Sequence, residues 1–208
     1  MLALHGFDVY GLEVSATGVA HAREYTKAEL AAPQAYNFGE SWSPTERNKQ
    51  CRGEVTFIEG DFFQQDWEIG AQFDLIYDYT ASFPLCSPFL DIAGILTDGI
   101  QFLCALHPTM RPQWASRMAD LLSPTGMLVC LEFPMYKDPK LPGPPWGLSG
   151  VHWNLLAEGG DGFASEEGDS GSKGQKRGQF RRMLYVKPAR SYENGRGTDM
   201  LSVYVKKR

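Results

Sequence analysis

The chain has 208 residues, 43% of them apolar, and a formal net charge of −5 at pH 7. This size and composition fit one compact domain with a sizeable core, and the acidic balance provides no basic surface for nucleic acid. No apolar run approaches the length of a membrane span, and the first residues lack the features of a secretory signal. We therefore expect a cytoplasmic monomer with neither nucleic-acid nor membrane partners.

The four cysteines are far apart in the sequence, which favours reduced, mostly buried thiols over a disulfide framework. They stand at positions 51, 86, 104 and 130. Cys104 and His107 form a single C-x2-H pair, and no second pair follows at the spacing of a zinc site. The sequence alone therefore predicts no metal site.

The first third of the chain alternates apolar strands with a helix. FDVYGLEVS, from Phe7 to Ser15, is typical of a strand that ends near an acidic residue. Residues 17–32 are predicted to form an amphipathic helix that Pro33 stops. VTFIEGDFF, which ends at Phe63, supplies the next strand and its exit loop.

The remaining elements continue this alternation. FDLIYDYT (residues 73–80) is typical of a buried parallel strand, and residues 111–122 are predicted to form a helix. SPTG at 123–126 is predicted to be a turn into the strand MLVCLEF. Two later strands flank Asn194-Gly195, a hairpin signal. Residues 159–179, rich in glycine, serine and charge, indicate a flexible loop.

Several segments of the sequence resemble one protein family. They are YDYT, FLCALHP, RPQWASRMADLL, GEVTFIEGDFF, LVCLEFPMYKDPKLPGPPWGL and residues 178–207. The chain resembles the S-adenosylmethionine-dependent methyltransferases of the thiopurine and thiol (halide) methyltransferase family, in particular fungal-type thiol methyltransferases. The resemblance implies an α/β class I methyltransferase fold, with a Rossmann-like sheet and a C-terminal antiparallel hairpin. It also implies S-adenosylmethionine as cofactor and a small thiol or anion as substrate.

The resemblance implies cofactor contacts at the ends of the first two strands. Glu13 would accept hydrogen bonds from the ribose hydroxyls, and Gly60 would permit the tight turn that follows the next strand. Asp61 would accept from the adenine amino group, with Phe62 stacking on the purine. Without the resemblance, a solvated strand end, a turn-capping aspartate and core phenylalanines are the better interpretations.

The resemblance also implies residues beside the reacting groups. Asp78 and Tyr79 end a strand, where a carboxylate could receive the cofactor's ammonium group and a tyrosine could orient the nucleophile. Arg111 would favour a thiolate over the neutral thiol. Tyr136 and Trp146 would be the walls of a proline-stiffened lid over the substrate pocket. Without the resemblance, Asp78 and Tyr79 could be strand-end residues that only reach solvent. Arg111 could belong to a surface ion pair, and the proline-rich segment could be a rigid connector.

Two departures from the family pattern stand out. The given sequence begins at MLALHGFDV and does not include the first strand of the family or its glycine-rich cofactor loop. Residues 1–208 would therefore be one partial methyltransferase domain. Residues 81–101 interrupt YDYT and FLCAL with 21 residues, the length of a 63-nucleotide intron in frame. We interpret this segment as retained intron sequence. Both departures predict impaired activity.

Three functions are therefore weighed for this chain. The first is S-methyl transfer to a small thiol or similar soft nucleophile. The second is a catalytically inactive methyltransferase-like fragment with at most a binding role. The third, a nicotinamide-dependent oxidoreductase, lacks any G-x-G-x-x-G sequence. The sequence does not choose among hydrogen sulfide, an organic thiol, thiocyanate and halide as nucleophile.

Overall fold

The computed structural model describes residues 2–33, 52–78, 102–163, 178–189 and 196–208. Its contacts divide the chain into two compact units, Met1–Gly70 and Ala71–Arg208. Several sequence predictions lie outside the described residues: Tyr79, the proposed insertion at 81–101, the Asn194-Gly195 turn and most of the loop at 159–179.

The first unit contains a two-stranded parallel sheet and one long helix. Strand β1 (Val9–Glu13) pairs with β2 (Val55–Glu59), so Glu13 lies opposite Glu59 at the carboxyl ends of both strands. Helix α1 (Ala16–Ala31) begins after Ser15, whose side chain accepts a hydrogen bond from the Gly18 amide as an N-cap. These elements confirm the predicted strands and helix.

The second unit is built on a mixed four-stranded sheet. Its strands are β3 (Phe73–Asp78), β4 (Leu122–Glu132), β5 (Phe180–Val186) and β6 (Met200–Lys206), in the spatial order β3-β4-β6-β5. The β3–β4 pair is parallel, and the other two pairs are antiparallel. The predicted parallel pair and the antiparallel C-terminal hairpin are thus confirmed.

The structure differs from the sequence prediction at residues 123–126. Strand β4 begins at Leu122, directly after a helix, and contains SPTG as a bulge: the register moves from Phe73–Leu122 to Leu75–Met127. Ser123 Oγ donates to Asp74 Oδ1 at 2.7 Å, which fixes the bulge on β3. A Cβ at Gly126 would lie 2.8 Å from the Phe73 carbonyl oxygen, so this approach requires glycine.

Helices cover one face of this sheet, on which Leu128, Cys130 and Glu132 of β4 are buried. The helical segments are α2 (Phe102–Ala105), a 3-10 turn (Pro108–Met110), α3 (Arg111–Leu121) and α4 (Val151–Trp153), which continues as a π-helical turn (Asn154–Glu158). Cys104 and Cys130 are buried thiols that form no disulfide bond with any described residue. Among the described residues, no helix is long and apolar enough to cross a membrane.

Candidate active site at the carboxyl ends of the strands

Four of the predicted site residues converge at the carboxyl end of β1 and β2. The Gly60 amide donates to the Glu13 carbonyl oxygen at 3.0 Å, which joins the two strand ends. Glu13 Oε1 accepts from the Ser15 amide at 2.9 Å, and Asp61 Oδ1 accepts from the Phe63 amide at 2.9 Å. Two carboxylates are therefore held by their own loops at one edge of this small sheet.

The loop after β2 is fixed by aromatic side chains. Trp67 Nε1 donates to the Asp61 carbonyl oxygen at 2.8 Å, and a Cβ at Gly60 would lie 2.7 Å from the Trp67 Cβ. Glycine is thus required at position 60 for close packing. The Phe62 ring contacts the Phe63 ring edge-on at 5.2 Å. The Asp61 side chain remains exposed, where an amino group or hydroxyl can reach it.

In the second unit, Asp78 ends β3 in a buried position. It is 8% exposed and lies opposite Cys130 in the β3–β4 register. Its Oδ2 atom has no hydrogen-bond partner among the described residues. Burial raises the pKa of this carboxyl from its ordinary value near 3.8 to about 7, because the charged form is desolvated.

Arg111 is the first residue of α3 and is completely buried. Its Nη1 donates to the Gly162 carbonyl oxygen at 3.1 Å, whereas Nε and Nη2 have no partner within the described part of the chain. Burial lowers the Arg111 pKa, and the nearby Cys104 acts in the opposite direction. An arginine side chain stays protonated in proteins, so this is a buried cation with two donors that the described residues leave unpaired.

The structure brings two residues to this region that the sequence prediction missed, Glu132 and His152. Both are buried, and His152 Nδ1 lies 4.0 Å from Glu132 Oε2. The imidazole packs edge-on against Trp114 at 5.9 Å. Burial has the largest effect on the His152 pKa and lowers it. Glu132 raises this pKa, whereas Arg111 lowers it. The imidazole is therefore held mainly neutral at pH 7.

Glu132 and Cys130 lie on the same buried face of β4. The Tyr204 hydroxyl donates to Glu132 Oε1 at 3.4 Å, and burial raises the pKa of that tyrosine, with Glu132 adding to the effect. The Cys130 pKa is raised well above its ordinary value by burial, then by Asp78 and Glu132. In MLVCLEF every second residue faces inward, and Glu132 falls on this inward face. A glutamate at such a position was the sequence signal for this cluster.

The proline-rich segment is held by its own contacts. Lys137 Nζ donates to the Pro142 and Pro145 carbonyl oxygens at 2.8 and 2.6 Å. The Trp146 amide donates to the Cys104 carbonyl oxygen at 2.8 Å, and its ring packs on His107 at 5.5 Å. Tyr136, in contrast, is 58% exposed. Its role as a pocket wall stays a prediction, as does that of Trp146.

The fold is that of class I methyltransferases. A methyltransferase from Methanosarcina mazei superposes with a TM-score of 0.51 at 12% identity, covering 99% of this chain and 84% of that one. The glycopeptide N-methyltransferase MtfA, solved with S-adenosyl-L-methionine, gives a TM-score of 0.50 at 12% identity, with 100% and 75% coverage. At such low identity, these similarities establish the fold alone.

Sequence comparison relates the chain to one family within that class. Residues 99–169 match the family model described as Thiopurine S-methyltransferase (TPMT). "Probable thiol methyltransferase 2" of Arabidopsis thaliana is 33% identical over 141 residues, 68% of this chain and 42% of that protein. "Thiopurine S-methyltransferase" of Shewanella amazonensis is 31% identical over 150 residues, 71% and 54% of the two chains. The chain is thus similar to the thiopurine S-methyltransferase family, and it spans about half the length of these relatives.

Proposed function

We propose that this protein transfers the methyl group of S-adenosylmethionine to a small thiol or a similarly soft nucleophile. The observation that carries the proposal is the buried Arg111 guanidinium, whose Nε and Nη2 are free among the described residues. A buried cation with unpaired donors is costly unless an anion completes its hydrogen bonds. Relatives named for thiol and thiopurine S-methyl transfer support a thiolate as that anion.

The residues at the carboxyl end of β1 and β2 fit the nucleoside half of the cofactor. Glu13 Oε1 is engaged by the Ser15 amide, which leaves Oε2 for ribose hydroxyls, and the exposed Asp61 carboxylate suits an amino group. Phe62 provides an aromatic face for a purine. When bound, S-adenosylmethionine supplies an already activated methyl carbon, so no residue of this chain has to activate the donor.

On the acceptor side, the chain's task is to hold the nucleophile as an anion and to exclude water. A guanidinium next to a thiol lowers the thiol's pKa, because it stabilises the thiolate. Arg111 can do this through Nε and Nη2 while Gly162 holds Nη1 in place. The thiol proton would be lost to solvent, and the thiolate would accept the methyl group as its bond to the sulfonium sulfur breaks, with S-adenosylhomocysteine as the leaving group.

Asp78 is also buried in the second unit, and we assign its carboxylate to the ammonium group of the cofactor's methionine part. Its pKa of about 7 is a consequence of burial without a counter-charge. An adjacent ammonium would lower this pKa and keep the carboxylate ionised. Tyr79 follows it in the sequence and would orient the nucleophile.

The decisive test compares Arg111→Met with Arg181→Met, an exposed arginine that serves as control. Methyl transfer from labelled S-adenosylmethionine to hydrosulfide and to a small organic thiol is measured as kcat/KM. Loss of a positioned cationic donor should lower kcat/KM by about 100-fold or more. Calorimetric affinity for S-adenosylhomocysteine should change less than about twofold in both variants.

Three results would contradict the proposal. A normal rate in Arg111→Met would remove the arginine from the reaction. Binding of S-adenosylhomocysteine without any transfer would favour the inactive, ligand-binding alternative. Binding of NAD instead would favour an oxidoreductase.

We also propose that residues 81–101 are an insertion that impairs the site. The family model matches from residue 99, next to the end of this segment, which supports a family sequence that resumes there. A variant lacking 81–101 should bind S-adenosylhomocysteine more tightly than the 208-residue chain. Transcript reads should join the codon for Thr80 to the codon for Phe102; abundant messages that keep the 63 nucleotides would contradict the proposal.

A further inference from the structure

A buried cluster of three potential metal ligands lies beneath α4. A carboxylate oxygen of Asp78, the Cys130 sulfur and a ring nitrogen of His152 all lie within 4.8 Å of one another. Asp78 and Cys130 are neighbours across β3 and β4, whereas His152 comes from the helix that covers them. Three separate elements therefore direct three different donor atoms to one point.

The hydrogen bonding of this cluster is incomplete within the described residues. Asp78 Oδ2 and His152 Nδ1 have no hydrogen-bond partner, although Asp78 is 8% and His152 1% exposed. Unpaired polar atoms at such depth are uncommon, because each loses its hydration without replacement. The carboxyl groups of Asp78 and Glu132 are close enough to the Cys130 thiol to raise its pKa. The Arg111 cation is close enough to His152 to lower the pKa of the imidazole.

The donor set selects among metal ions. A thiolate and an imidazole exclude magnesium and calcium, which prefer oxygen ligands. Sulfur, nitrogen and carboxylate oxygen together are typical of tetrahedral zinc sites, with bonds of about 2.0 to 2.3 Å. Such bonds separate ligand atoms by roughly 3.3 to 3.8 Å, so a contraction of about 1 Å would bring the three donors to bonding distance.

We propose that Asp78, Cys130 and His152 bind a zinc-class divalent ion in the core of the second unit. The two negative ligands, Asp78 and Cys130, balance the charge of the ion, and the ion provides a partner for Asp78 Oδ2, which the described residues leave unpaired. This site does not depend on the proposed methyl transfer, although the two share Asp78: the ion would bind one carboxylate oxygen and leave the other for a ligand.

Glu132 completes the surroundings of the site. Its Oε2 lies 4.0 Å from His152 Nδ1, and its Oε1 accepts from the Tyr204 hydroxyl at 3.4 Å. When the ion is bound through the other ring nitrogen, Nε2, Nδ1 is left to donate to this carboxylate, which orients the histidine; loss of such a partner typically weakens binding 10- to 100-fold. Glu132→Gln should therefore weaken metal affinity by about that factor.

The test is cobalt and zinc titration of the 208-residue chain without cofactor. Tetrahedral cobalt bound through a thiolate gives both d–d bands and a sulfur-to-cobalt charge-transfer band. One equivalent should produce both, and zinc should displace the cobalt. The charge-transfer band should vanish in Cys130→Ala and remain in Cys104→Ala, the matched control, since Cys104 is an equally buried cysteine outside the cluster.

His152→Asn and far-ultraviolet circular dichroism separate loss of a ligand from loss of the fold. A folded His152→Asn variant should bind cobalt at least about tenfold more weakly. Absence of cobalt binding by the folded unsubstituted chain, a charge-transfer band that survives Cys130→Ala, or one abolished by Cys104→Ala would each overturn the proposal. Loss of S-adenosylhomocysteine binding alone would count against the proposed function and leave the metal site standing.

Discussion

The two groups of candidate site residues differ in how they are held. At the carboxyl end of β1 and β2, Glu13 is partly exposed and Asp61 is fully exposed, and each accepts a hydrogen bond from a backbone amide two residues away. At the end of β3 and β4, Asp78 and Glu132 are buried and contact side chains from distant elements. The first arrangement can bind a ligand at little cost to folding, whereas the second ties the chemistry of the site to the stability of its unit.

Among the substitutions that test this contrast, Trp114→Ala should have the largest effect on stability. The side chain is fully buried and packs against His152, so Trp114→Ala should lower the free energy of unfolding by about 3 to 5 kcal/mol. Tyr136→Ala, at a 58% exposed aromatic position of the same unit, should cost less than about 1 kcal/mol. Urea denaturation measures both; equal losses would mean that the buried cluster is not a packed core.

The Asp78 carboxyl should make stability depend on pH. Its folded pKa of about 7 exceeds its ordinary value near 3.8, so between these pH values the folded chain holds a proton that the unfolded chain has released. This contribution is therefore fully present below about pH 4 and is lost as the pH rises through about 7. The shift is about three pKa units, and at about 1.4 kcal/mol per unit it amounts to roughly 4 kcal/mol.

The measurement is urea denaturation between pH 4 and pH 8 with a chelator present, on the unsubstituted chain and on Asp78→Asn. The amide cannot titrate, so this decline in stability should be absent from the variant. An identical pH dependence in both proteins would show that Asp78 is not buried in its neutral form.

Glu13 gives the smallest expected effect. In the variant that lacks 81–101, Glu13→Gln should weaken S-adenosylhomocysteine binding by about tenfold, since hydrogen bonds to a charged acceptor are the stronger ones. Glu59→Gln is the control, because Glu59 is the register partner of Glu13 on the neighbouring strand. Stability should change by less than about 0.5 kcal/mol in both. Equal affinities would remove Glu13 from the cofactor site.

Local pattern was sufficient for most of the secondary structure. Short apolar runs give β1 to β6, and Pro33 and Ser15 frame α1, because strand and helix periodicity and capping act over a few residues. The turn predicted at SPTG failed since the Asp74–Ser123 contact and the close approach of Gly126 to Phe73 draw these residues into β4. Those contacts join residues about 50 positions apart, which no local window contains.

By itself, the sequence determined the α/β alternation, the antiparallel end of the sheet and the family resemblance that named Glu13, Asp61, Asp78 and Arg111. Only the tertiary structure decided that Arg111 is buried with two donors that no described residue pairs, and that Asp78, Cys130 and His152 lie close together. The physical reason is that burial and charge pairing depend on which elements pack together. Residues 78, 130 and 152 are too far apart in the sequence for their spacing to predict a common metal site.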